Sequence, residues 1–158
     1  MYDVPVLDMG RVVEFVNEHA DRPRVVADEQ DMPYPEMAVP SGDLVPAANA
    51  AFEVFAAAPD GRAFERLNDL LRAARPLPVA TEAGLRWTVD APENVLPAAL
   101  GACLLEWLVN HGQERLGTCH GAKCVDVYAD ASPAGRRRFC SSTCLNRHKV
   151  AAYRQRAR

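Results

Sequence analysis

Hydrophobic positions recur at three- and four-residue steps through much of the first 112 residues. Over residues 7–20, Val12, Phe15, Val16 and His19 share one helical face behind Asp8, a natural N-cap. The prolines at 23, 33, 35, 40 and 46 cannot sit inside a long helix, which predicts a loop from Asp21 to Pro46 with a turn at Ser41-Gly42-Asp43. Ala47 to Ala57 reads as a helix entered after Pro46, with Phe52 and Phe55 turned inward. Pro59-Asp60-Gly61 breaks it, and Asp60 is placed to cap a second helix with the stripe Phe64, Leu67, Leu70 and Leu71, ending before Arg75-Pro76.

The period then changes to two. Leu77 to Ala80, a turn over Thr81 to Gly84, and Leu85 to Val89 predict a β-hairpin with Leu85, Trp87 and Val89 facing the core. From Asn94, with Pro97 in the first turn, the pattern returns to helical and runs to Asn110, closed by Gly112. Leu100, Cys103, Leu104, Trp107 and Leu108 carry almost no charge between them, as in a central buried helix. Cys103 is read there as a small core hydrophobe. After Cys124, residues 125–128 and 136–139 predict two short strands around a turn at 130–135, and Ser141 or Ser142 caps a final helix reaching about Arg156.

The chemistry sits in that last stretch. Cys119 and Cys124, then Cys140 and Cys144, form two close pairs joined by a turn-rich connector. Two such pairs suit one tetrahedral ion, and four thiolates leave no open coordination position, so the spacing predicts a single structural zinc. His111, His120 and His148 are near enough in sequence to replace a sulfur, but four cysteines already complete the shell. The formal net charge of -3 conceals an asymmetry: from Cys119 onward nine Lys/Arg stand against two acidic residues, a net +7, while residues 1–118 hold nine basic and nineteen acidic side chains, a net -10. On a helix, Arg147, Arg154 and Arg158 fall within about 40° of one another, with Lys149 and Arg156 on a second stripe. With Arg136, Arg137 and Arg138 these make the candidate nucleic-acid contacts; Lys123 and the Arg run also lie where they can neutralise a four-thiolate site.

These residues resemble the CGNR-type zinc-finger proteins, described as stress-induced transcription regulators of bacteria. The resemblance rests on Cys119 and Cys124 with four residues between them, on Gly135-Arg136-Arg137-Arg138-Phe139-Cys140, and on Cys144-Leu145-Asn146-Arg147 leading into Val150-Ala151-Ala152-Tyr153-Arg154. It departs at Leu145, where the namesake motif has glycine. Upstream it is looser and covers the helix at 63–74, Arg75-Pro76-Leu77, the hairpin and the helix before the finger. The resemblance implies an ABATE-like regulatory domain at 1–112, a treble-clef-like finger at 113–158, and DNA binding by the finger.

Composition adds what is excluded. The N-terminus lacks a basic stretch before an apolar run, and the segment from Val95 to Val109 is too short to span a bilayer, so a cytoplasmic chain without a membrane partner is expected. There is no nucleophile elbow and no glycine-rich phosphate loop, so no enzyme is expected. The expected fold is α+β: a mostly helical N-terminal domain with one hairpin, then the finger. The first functional expectation is a DNA-binding transcription regulator whose N-terminal domain senses a signal or mediates homodimerisation, with any small-molecule ligand left open. The alternative is a zinc-stabilised interaction module whose basic tail binds an acidic partner or its own acidic domain; a thiol redox switch is a third. Segment 21–46 is expected to be a surface loop, with a lid over a small-molecule pocket as the less favoured reading.

Overall fold

The computed structural model describes residues 1–158. Its fold is α+β, with helices carrying the core and two small antiparallel sheets at its margins. Helix α1 spans Met9–His19; the Asp8 carboxylate accepts from Arg11 N at 3.0 Å, and Val12, Phe15, Val16 and His19 are its buried residues, as the pattern predicts. Helix α3 (Leu44–Ala57) packs against α1, and α4 (Ala63–Ala74) lies between α3 and α5 (Val95–His111). Helix α5 buries Leu96, Leu100, Leu104 and Leu108 and ends at Gly112, as expected of a central helix.

Several elements differ from the expectation, each for a local reason. The stretch read as loop contains α2 (Asp21–Val26), with Pro23 in its first turn, where a missing N–H costs nothing. Pro46 likewise lies inside the first turn of α3, so that helix starts at Leu44 rather than after the proline. Asp60 does not cap α4. It closes a 3-10 turn at Ala58–Asp60, Gly61 follows in the left-handed conformation at φ 74°, and the Ala63 N–H donates instead to the Gln113 side chain at 3.2 Å. The buried face of α4 runs through Ala63, Leu67, Leu70 and Ala74, whereas Phe64 is 41% exposed.

The hairpin of β2 (Leu77–Thr81) and β3 (Gly84–Val89) forms in the expected register, and a two-residue strand β1 (Tyr2–Asp3) adds to the free edge of β3. Only the root of the hairpin reaches the core: Val89 is fully buried, Trp87 half-buried and Leu85 63% exposed, contrary to expectation. Alternation shows that a strand has two faces; it does not show how much of one face the helices cover.

The second sheet pairs β4 (Leu116–Thr118) with β5 (Val127–Ala129). The sequence places strands at 125–128 and 136–139, but residues 136–139 are not a strand and β5 pairs upstream instead. Backbone groups there are committed elsewhere: Arg137 N donates to Asp130, His120 N donates to Arg138 O, and Tyr128 Oη donates to Arg137 O. The second sheet is built into the helical core, because Leu116 and Val127 are buried in the same cluster as Phe52 and Leu104. Asn17 of α1 fastens it, donating to Val127 O at 3.1 Å and accepting from Val127 N at 2.7 Å.

Candidate metal centre and basic helix

The first cysteine pair lies on a tight knuckle between β4 and β5. Cys119 N donates to Asp126 O at 2.8 Å, Gly121 N donates to Cys119 Sγ at 3.3 Å, and Lys123 takes a left-handed conformation at φ 55° that turns Cys124 back toward Cys119. A Cβ on Gly121 would stand 3.3 Å from Cys119 Sγ and from the Cβ of Cys144, so a larger residue there would crowd the site and push its neighbours by a few tenths of an ångström. The second pair enters through helix α6 (Ser142–Arg156): the Ser141 hydroxyl caps it by accepting from Cys144 N at 3.3 Å. Cys140 precedes this cap and Cys144 lies in the helix's first turn.

The four Sγ atoms of Cys119, Cys124, Cys140 and Cys144 lie within 4.8 Å of one another. Cys140 Sγ is 3.7 Å from both Cys124 Sγ and Cys144 Sγ. A disulfide needs sulfurs about 2.05 Å apart, and none of the cysteines is in one. A tetrahedron of sulfurs about 2.3 Å from a central ion has edges of about 3.8 Å, close to the two 3.7 Å separations at Cys140 and within reach of the others. The donor set therefore fits one zinc ion, held by four thiolates with no place for a reacting water. When bound, zinc would supply a cross-link between knuckle and helix. No histidine joins this donor group; His148 packs on Phe139 with ring centroids 5.1 Å apart, and His111 lies tilted against Trp107 at 4.1 Å.

Without a cation the cluster resists ionising together. Burial pushes the Cys124 thiol far above its ordinary value and the Cys140 thiol up to about 12. Burial also works to raise the Cys144 thiol, but hydrogen bonds from its neighbours, Cys140 first, leave it below its ordinary value. A divalent ion removes this conflict by stabilising every thiolate at once.

The connector between the pairs is held by residues whose sequence context suggests only turn or charge. Asp130 is 3% exposed; its carboxylate accepts from Ser132 N at 2.9 Å and from Arg137 N at 3.0 Å. The Ser132 side chain first, then the backbone N–H groups of Arg137 and Ser132, hold its carboxyl below the usual carboxylate range. The Arg137 guanidinium donates to the carbonyls of Ala129, Phe139 and Cys140 and lies over the Tyr128 ring. Each of its three nitrogens thus donates within the finger. A buried aspartate seven residues before an arginine in a turn leaves no periodic signal, so only the folded chain reveals the pair.

The other seven candidate contacts, Arg136, Arg138, Arg147, Lys149, Arg154, Arg156 and Arg158, are all exposed, and none forms an ion pair with an acidic side chain. Cys144 is the one buried residue of α6, and no other helix or strand packs along it. Leu145, at the position of the family glycine, is regular helix and half-buried beside residues 136–139, so the backbone has no need of glycine there.

One large cleft lies elsewhere, a cavity of about 770 Å³ between Asp3–Leu7, β3 and the outer face of α5. Residues 21–46 do not line it. Cys103 does, and burial pushes its thiol up to about 11, so it stays protonated at neutral pH. No helix is long and apolar enough to cross a membrane.

Fold and site define a chain with a four-cysteine zinc centre that joins a helical core to a projecting basic helix. The C-terminal part is similar to the CGNR zinc finger: residues 115–157 match the family model of that description. The match does not extend to the preceding residues, where an ABATE-like domain rests on the resemblance alone. A search of curated proteins found no match.

Proposed function

We propose that this protein is a DNA-binding regulator in which zinc fixes α6 as the contacting element. The observation that carries this reading is an exposed fifteen-residue helix, about 22 Å long, rooted in the metal centre, touched at its base by residues 136–139 and packed along no other helix or strand. Its Arg147 and Arg154 form one cationic ridge, Arg158 follows just beyond the helix end rather than on it, and Arg136 and Arg138 extend the positive surface at its base. Arg137 serves in this reading as scaffold rather than contact, because its guanidinium is already committed to carbonyls. The role is binding, not catalysis; a sensory or dimerising part for the acidic N-terminal region, a stress-related signal and a cytoplasmic location in a bacterial cell belong to the same proposal.

The test is fluorescence-anisotropy binding of the zinc-loaded protein to random duplex DNA across a range of salt. Affinity should fall steeply with salt, and the variant with Arg147, Arg154 and Arg158 changed to Ala should show a slope shallower by about 2.7, some 0.9 for each phosphate no longer neutralised. Absence of binding at low salt would refute the reading and favour an acidic protein partner for the same helix.

A further inference from the structure

We propose that α6 also reads base edges, with Thr143, Asn146 and Val150 as the readers and A·T pairs as the preferred target. This rests on the DNA-binding reading above and adds to it a face, a groove and a base preference.

The argument starts from how the helix is oriented by the metal. Cys144 is buried, Leu145 and Ala152 are half-buried, and His148 packs on Phe139, so these positions form the back of the helix. At about 100° per residue, the opposite face is a stripe of Thr143, Asn146, Val150, Tyr153 and Ala157. Every one of these is exposed, with Val150 at 49% and Tyr153 at 69%, and no part of the protein covers them. The stripe carries no charge, but cations border it on both sides: Arg147 and Arg154 on one, Lys149 and Arg156 on the other. Thr143, Asn146, Arg147, Val150 and Arg154 line one shallow groove of the surface.

An uncharged strip between two cationic edges has the charge pattern of a duplex groove, where base edges lie between two phosphate strands. A solvated helix would place charge on its most exposed face, whereas this one places Val150 and Tyr153 there. The major groove is about 12 Å wide and admits a single helix, with flanking Arg and Lys within reach of both strands. Near the zinc-fixed end of the helix, the Asn146 carboxamide has the donor and acceptor pair that matches adenine N6 and N7. The methyl groups of Thr143 and Val150 suit the thymine methyl.

The experiment uses the full zinc-loaded chain. Duplexes are selected from a random pool, and the enriched sequence is compared with its single-base variants by anisotropy at one fixed salt concentration. The wild type should discriminate roughly tenfold or more at an A·T position. Asn146→Ala should lose that discrimination to within about twofold while keeping its affinity for random duplex, whereas Arg154→Ala should weaken binding to every sequence alike. Zinc content and helicity of each variant confirm that the finger is intact. If DNA is bound but no sequence is enriched, or if Asn146→Ala keeps the wild-type pattern, base reading by this face is overturned while phosphate binding survives. If no duplex binds at all, both proposals fall.

Discussion

Asn17 satisfies both backbone polar groups of Val127 from a position 110 residues away in the chain. Asn17→Ala leaves a half-buried N–H and C=O without partners, at about 1–3 kcal/mol for each group, so chemical denaturation should show a lower midpoint with an unchanged slope. A slope change without loss of stability would contradict this role. Asp130 makes a pH-dependent contribution of known sign. Its folded pKa is depressed, so its stabilisation is present above the ordinary carboxylate value of about 3.9 and disappears as pH falls toward the folded one. The stability difference between wild type and Asp130→Asn should therefore be largest near neutrality and shrink below about pH 4; protonation of the cysteines affects both proteins alike and cancels. At this scale the ligands were legible, because Cys119, Cys124, Cys140 and Cys144 have short local spacings. Asn17 and Asp130 were not, because their partners are backbone groups that only the fold brings near.

Helices were legible where caps and stripes agree. Asp8 before α1, Gly112 after α5 and Ser141 before α6 mark boundaries within a residue or two of those found. The failures share a cause, a local rule overridden by its context. Proline bars a helix interior but is tolerated in a first turn, which is where α2 and α3 carry it, and Asp60 yields as a cap to a side chain fifty residues away. In the finger, the run from Arg136 to Phe139 looks strand-like, but its backbone bonds to Asp130, His120 and Tyr128 instead of a ladder. Helix α6 has little to hold it beyond its cap and the metal. Ser141→Ala should cost about 1 kcal/mol and reduce helicity measured by circular dichroism, more visibly in chelator than in zinc. Equal helicity in both would show that the cap is not what holds its first turn.

Across the whole molecule, one core runs from the N-terminal helices into the metal-binding part, through Leu116 and Val127. Chelation should therefore shift the calorimetric unfolding of the entire chain to lower temperature as one transition, rather than release a small early transition from the last forty residues. This continuity was not visible in the sequence, where composition and charge change sharply near Cys119 and suggest a seam. The basic surface was visible in outline as a +7 segment, but its division into a back face, two cationic edges and an uncharged strip depends on where the metal holds α6. The most direct test is DNA affinity measured by anisotropy while zinc is titrated into the metal-free chain. Affinity should rise with zinc and saturate at one equivalent, because the ion fixes the helix that makes the contacts. Equal affinity before and after zinc would contradict the account and reduce the tail to a disordered cationic segment that needs no metal centre.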